Sequence, residues 1–157
     1  MSTYVVSDLH GQYDTFKRGL KEIKFSPSDF LYVIGDAIDR GPDGIRILRK
    51  IKRRKNMDLV LGNHEFMMLN SINLDGKPIC DGRDSYLWLD YNGGNTTFAE
   101  YKKLSVSDRK ELLFWLNNRE LIKDVSIDTP LRQRTVHAVP QLLSSEIRGN
   151  TILFYLI

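Results

Sequence analysis

Gly35-Asp36-Ala37-Ile38-Asp39-Arg40-Gly41 follows the apolar run Phe30-Leu31-Tyr32-Val33-Ile34. A short run of aromatic and β-branched side chains bounded by glycine predicts a buried strand. Gly35 ends the run and Gly41-Pro42 closes the turn. Two aspartates and an arginine therefore fall on a loop at the strand's carboxyl end, where open α/β sheets bind their ligands. Carboxylates beside a guanidinium suit a metal together with a phosphate. The plainer alternative is a turn in which Asp39 and Arg40 make a surface ion pair.

The same pattern flanks this stretch on both sides. Upstream, Thr3-Tyr4-Val5-Val6-Ser7 reads as a strand and Asp8-Leu9-His10-Gly11 as a loop. Tyr13, Phe16, Leu20 and Ile23 then recur at helical spacing. Asp-x-His after a strand is a metal half-site, since carboxylate and imidazole are both ordinary ligands. Alternatively, Asp8 caps the coming helix and His10 is a solvated loop imidazole. Downstream, Met57–Leu61 reads as a third strand, Gly62-Asn63-His64-Glu65 as a third loop, and Phe66-Met67-Met68-Leu69 as the opening of a helix with core-facing methionines. Strand, polar loop and helix thus occur three times, which predicts a βαβαβ unit with a parallel sheet. Its loops share one sheet edge and bring together Asp8, His10, Asp36, Asp39, Arg40, Asn63 and His64.

The 157 residues predict a single domain spanning 1–157. The net charge of +3 fits an anionic substrate without arguing for nucleic acid. Arg49, Lys50, Lys52, Arg53, Arg54 and Lys55 cluster at the end of a helix carrying Ile45, Leu48 and Ile51. No aromatic residues interleave with these charges to stack bases, so a solvated helix end is the preferred reading over a nucleic-acid patch. Cys80 is the single cysteine, so no disulfide framework is expected, and a reducing, cytoplasmic setting is. No signal peptide is expected at the N-terminus. The apolar run Thr151–Ile157 is too short to span a bilayer, and no membrane partner is expected.

Asp43 is placed to cap the helix of Ile45, Leu48 and Ile51. Residues 70–83 read as a loop containing Cys80. Trp88 to Asn92 reads as a short helical stretch with Gly93-Gly94 as its stop. Thr96–Lys103 and Ser107–Asn118 read as helices, the second with Ser107 as N-cap and Leu112, Leu113, Leu116 and Trp115 inward. Leu121–Ile127 and the region of Arg132–Val136 read as strands, with His137 at the end of the second.

Asp8-Leu9-His10-Gly11, Gly35–Gly41 and Gly62–Glu65, in that order and after strands, resemble the metallophosphoesterase superfamily, and within it the phosphoprotein phosphatases of bacterial and phage type. Trp88 with Asn92-Gly93-Gly94, and Val136-His137-Ala138, resemble later stretches of that family. The resemblance implies an αββα sandwich and two divalent metal ions, manganese first, with iron or zinc as alternatives. It implies that Asp8, His10 and Asp36 hold one ion, and that Asp36 bridges to a second ion held also by Asn63 and His137. It further implies attack by a metal-bridging hydroxide, a phosphate clamp at Arg40 with Asn63 beside it, and protonation of the leaving group by His64, oriented by Asp39. The substrate implied is a phosphorylated protein or peptide. Diadenosine tetraphosphatases are the nearest alternative. Asp39 and Glu65 favour the protein-phosphatase side, because the dinucleotide enzymes usually lack the first and carry Asp at the second.

Members of that family continue beyond the His137 motif with a further arginine and a Gly-His motif that completes the second metal site. No fourth histidine exists here. The expectation is a shortened phosphatase whose second sheet lacks its C-terminal strands and whose second metal is held less tightly. A third reading is an inactive relic that binds metal or phosphopeptide. The run Ile152–Ile157, if a strand, must find a sheet edge to pair with.

Overall fold

The computed structural model describes residues 1–73, 83–121, 123–129, 132–138 and 154–156. Three strands, β1 (Thr3–Val6), β2 (Phe30–Ile34) and β3 (Met57–Val60), form the parallel ladder that the alternating segments predict. The sheet order is β3-β2-β1-β6, and β6 (Phe154–Leu156) pairs antiparallel with β1, Val5 opposite Tyr155. Phe154–Leu156 of the terminal apolar run thus take the edge of β1 that β2 leaves open. A second sheet is the antiparallel pair β4 (Lys123–Thr129) and β5 (Arg132–Ala138).

Helices α1 (Tyr13–Glu22), α2 (Gly44–Lys52) and α3 (Asn63–Ser71) follow β1, β2 and β3. Their inward faces are those that the spacing predicts: Phe16 and Leu20, then Ile45, Leu48 and Ile51, then Met68. With Val6, Leu31, Val33 and Leu59 from the strands they make one core. At about 25 cal/mol per Å², burying side chains of this size is the main favourable term of folding.

Beyond α3 come the single turn α4 (Arg83–Tyr86), a π-helical turn (Leu87–Tyr91), α5 (Gly94–Lys102) and α6 (Val106–Asn117). Leu112, Leu113 and Leu116 of α6 join the core, and Trp115 packs partly against it. No helix among the described residues is long and apolar enough to cross a membrane.

Several boundaries differ from the expectations, each for a local reason. Asp43 does precede α2, but its carboxylate makes no cap and lies 3.5 Å from Arg46 instead. Asp8 does not cap α1; Gln12 holds the N-cap position. Ser105, not Ser107, caps α6. Its hydroxyl accepts from the Asp108 N–H at 3.1 Å and donates to the Asp108 carboxylate at 3.0 Å, an earlier and better capping pair. Gly93-Gly94 is not only a stop: Gly93, at φ 77°, is the N-cap of α5, and Gly94 is the first helical residue. The helix of Phe66 starts earlier than expected, at Asn63, so Asn63 and His64 sit on a helix N-terminus rather than in a loop. The expected loop around Cys80 lies largely outside the described residues.

Candidate active site

The three loops after β1, β2 and β3 share one edge of the sheet, and hydrogen bonds cross-brace them. The N–H groups of His10 and Gly11 donate to the carbonyls of Asp36 and Ala37 at 2.8 and 2.9 Å, and the Gly41 N–H donates to the His10 carbonyl at 3.0 Å. Glycine is required where backbones touch. A Cβ on Gly41 would stand 2.4 Å from the His10 carbonyl oxygen, and one on Gly62 would stand 2.4 Å from Asp36 Oδ1. Asp8, His10, Asp36, Asp39 and Arg40 all have left-handed backbones, with φ between 40° and 71°. Each such residue costs about 1–3 kcal/mol and persists only where its surroundings over-determine it.

Glu65 supplies much of that determination. Its fully buried carboxylate accepts four backbone N–H bonds: Asp36 at 2.9 Å, Ala37 at 2.8 Å, Ile38 at 3.3 Å and Gly62 at 2.9 Å. Burial first, then the nearby Asp36 carboxylate, raise its pKa to about 7, against the pull of the Gly62 and Ala37 N–H groups. All four contacts ask the carboxylate only to accept, which favours its ionised form. One side chain on α3 thereby fixes the loop after β2 and the start of its own helix.

The donor atoms that face one another are those of His10, Asp36 and His64, all within 4.8 Å. His10 Nδ1 lies 3.2 Å from the Ile38 carbonyl oxygen, and His10 Nε2 lies 3.9 Å from Asp8 Oδ1. That carbonyl orients the ring as partners of metal-binding histidines commonly do. Burial, then Arg40 and His64, lower the His10 pKa and favour the neutral imidazole that a metal needs. The Asn63 side chain stands 2.6 and 3.0 Å from the two Asp36 carboxylate oxygens. With its amide turned so that the NH₂ faces Asp36, Asn63 donates to both carboxylate oxygens. Carboxylate and imidazole donors converging in this way, with the Asn63 amide beside them, fit a divalent transition metal.

His64 is buried, and its Nδ1 lies 2.7 Å from Asp39 Oδ2. Burial depresses the His64 pKa, but the Asp39 hydrogen bond and the Asp36, Asp39 and Glu65 charges outweigh it, and the net shift is upward. The ring packs edge-on to His10 at 4.8 Å between centroids. Asp39 is fully buried whereas Arg40 is exposed, so the two form no surface ion pair. The Arg40 N–H donates to the Gly93 carbonyl at 3.1 Å, which ties this loop to the segment that follows the π turn.

Of the expected site residues, His10, Asp36, Asn63, His64 and Asp39 converge, Asp8 lies beside His10, and Arg40 lies at the rim. His137 is on β5, in register with Asp124; its side chain is outside the described residues. Three further residues had no site role in the sequence reading. Glu65 served there only as a subfamily marker. Thr97, whose Oγ1 accepts the Asp39 N–H at 2.9 Å, and Trp88, whose Nε1 donates to Asp39 Oδ2 at 2.9 Å, stand far from Asp39 in sequence.

A family model for calcineurin-like phosphoesterases matches residues 1–151, and the chain belongs to that family. It is 45% identical to a symmetrical bis(5'-nucleosyl)-tetraphosphatase of Wigglesworthia glossinidia brevipalpis, over 96% of this chain and 50% of that protein. It is 34% identical to the protein of the same description from Buchnera aphidicola subsp. Schizaphis graminum, over 78% of this chain and 40% of that protein. The chain therefore spans half or less of the length of these two relatives. Among solved structures, a metallophosphoesterase from Sphaerobacter thermophilus shares the fold at a TM-score of 0.53 and 17% identity, over 82% of this chain and 43% of that one. The family implies divalent metal ions, which the donor set above fits.

Proposed function

We propose that the chain is a metal-dependent hydrolase whose substrate is a dinucleoside tetraphosphate, cleaved symmetrically by water into two nucleoside diphosphates. The observation that carries this reading is the convergence of His10, Asp36, Asn63 and His64 at one sheet edge, in a chain 45% identical to a tetraphosphatase over nearly its whole length. Asp8, His10 and Asp36 would hold one cation, with Asp36, Asn63 and His137 at a second. Manganese is the first candidate, with iron or zinc as alternatives. Bound there, such ions polarise phosphoryl oxygens and lower the pKa of water toward neutrality. Asn63 and His64, at the N-terminus of α3, add the positive end of a helix dipole, which favours a phosphate. Arg40, which is exposed, would grip a phosphate by two parallel hydrogen bonds. His64 would deliver a proton to the departing oxygen while Asp39 holds its ring.

A second reading, phosphomonoester hydrolysis of the protein-phosphatase type, is favoured by the His64–Asp39 contact at 2.7 Å. A departing nucleoside diphosphate is already a stable anion and gains little from a general acid, whereas a departing alkoxide needs one. The test is turnover of diadenosine tetraphosphate and of a phosphoserine peptide by the purified chain with manganese, beside Asp36→Asn, with products resolved by ion exchange. ADP as the main product, abolished by chelator and by the variant, supports the first reading. Free phosphate from the peptide alone supports the second. Metal binding with no turnover of either substrate would leave a binding protein and sink both.

A further inference from the structure

We propose that Trp88 is a positioning residue for His64: its indole N–H fixes the rotation of the Asp39 carboxylate, and the carboxylate in turn fixes the imidazole. The proposal rests on the reading above that His64 acts as the acid. Asp39 Oδ2 receives two donors, His64 Nδ1 at 2.7 Å and Trp88 Nε1 at 2.9 Å. Asp39 Oδ1 is buried and makes no hydrogen bond among the described residues. Among the described residues, those two donors are what hold the carboxylate in rotation. The indole N–H is a donor only and cannot reverse its role, so it defines which oxygen faces the histidine.

The surroundings hold the indole as firmly as it holds Asp39. Trp88 is 1% exposed and lies on the π-helical turn Leu87–Tyr91; such turns recur at functional sites. The backbone of α5 lies flush against the ring: a Cβ on Gly94 would meet Trp88 Nε1 at 2.4 Å and Cε2 at 2.5 Å. Three residues further along α5, Thr97 Oγ1 accepts the Asp39 N–H at 2.9 Å, which anchors a left-handed backbone at φ 71°. One segment, residues 88–97, therefore holds Asp39 by side chain and by backbone. A buried indole could instead have taken the nearest acceptor merely to avoid an unsatisfied donor. The two accounts differ in what removing the N–H does to chemistry.

The variant is Trp88→Phe, which keeps an aromatic ring and deletes the donor. With saturating manganese, kcat is measured on 4-nitrophenyl phosphate, whose leaving group needs little protonation, and on phenyl phosphate, whose leaving group needs more. The expected result is a loss on phenyl phosphate roughly tenfold greater than on 4-nitrophenyl phosphate, part of the 10²–10⁴ that a general acid contributes, with KM unchanged on both. Equal losses on both esters would overturn the proposal and leave Trp88 a packing residue. The second readout needs no turnover. In ¹⁵N spectra of the metal-loaded protein, Asp39→Asn should move the Trp88 indole signal and speed its hydrogen exchange, and Trp88→Phe should move the His64 ring nitrogens. The chain has two tryptophans, so loss of one indole signal in Trp88→Phe gives the assignment. If Trp88→Phe does not fold, the Asp39→Asn spectrum decides, and an unmoved indole signal overturns the proposal. A wild-type chain that hydrolyses neither ester nor diadenosine tetraphosphate would remove the acid role of His64, a failure distinct from an unmoved indole.

Discussion

Asp29 and Asp39 stand at opposite ends of β2 and are built on opposite principles. Asp29, at the amino end, lies at the surface with both oxygens engaged: Oδ1 accepts from the Ser2 N–H at 2.8 Å, and Oδ2 from the Ser26 N–H and hydroxyl at 2.9 and 2.7 Å. Asn56 closes the same corner by donating to the carbonyls of Ser26 and Asp29. Asp39, past the carboxyl end, is fully buried, left-handed at φ 71°, and has one oxygen without a partner among the described residues. Five left-handed non-glycine residues crowd the loops of its edge, whereas the amino end has Lys24 alone among the described residues. Backbone strain lowers stability, so the concentration of five of the six left-handed non-glycine residues among the described ones at this edge marks where the fold gives up stability to hold chemistry in place.

That contrast breaks most sharply at Asp36. Its carboxylate faces His10, His64 and Asn63, so Asp36→Asn should bring turnover to background and remove metal uptake, read by calorimetric titration with manganese. Stability of the metal-free protein should hold, because the variant removes negative charge from the neighbourhood of Glu65. A metal-free variant that unfolds would mean that Asp36 is structural after all. Next comes His64→Asn, expected to lower kcat by about 10²–10⁴ on an ester with a poor leaving group, with manganese affinity falling far less. Equal losses in both would move His64 from acid to ligand, a role its distance to His10 and Asp36 also permits.

The carboxyl edge was legible in the sequence because its signals are local. Apolar runs ending at Gly35 and Gly62 give strands, and the parallel order puts their loops side by side, so Asp36, His10 and His64 meet by topology alone. What supports them was not legible. Trp88 and Thr97 reach Asp39 across 49 and 58 residues, and no spacing rule connects positions so far apart. Glu65 was visible as a residue, but its four N–H partners depend on how α3 returns over the loop after β2. The cap at Ser105 was missed for a smaller reason: two serines flank the first residue of α6, and only the earlier one has an aspartate three residues on. The sheet edge taken by β6 was foreseen only as a need. The protein-phosphatase reading drew on Asp39 and Glu65, yet the tetraphosphatase relatives share more of the chain than those two positions describe. Two side chains that position a histidine and a loop report how the site is held more than what it hydrolyses.

Glu65→Gln sharpens the comparison from the other side, since it keeps size and removes charge. An amide offers one accepting oxygen, and its NH₂ would face backbone N–H donors. The loss should be on the order of 3 kcal/mol in urea unfolding, in the range for hydrogen bonds to buried charged groups left unmade, together with lost turnover as the loop of Asp36 loosens. A variant that kept full stability but lost activity would mean that the four N–H bonds shape the loop without supporting the fold.

The smallest effect belongs to Asp29. The Ser26 hydroxyl first, then the Ser26 and Ser2 N–H groups, hold its pKa below the ordinary carboxylate value. A carboxylate whose folded pKa is depressed contributes stability above its unfolded value, and that contribution is lost as pH falls through the folded value. Asp29→Asn should therefore unfold at a slightly lower temperature than the wild type near neutral pH. The gap should begin to close as pH falls below the ordinary carboxylate value of about 4 and vanish once pH passes the lower folded value. Turnover should be unchanged, because Asp29 lies at the far end of β2 from the three loops. A gap that persisted in acid would mean that the amide disturbs the turn by shape rather than by charge. Altered kinetics would mean that the two ends of β2 are coupled through the strand, and the separation of a stable edge from a strained one would fail.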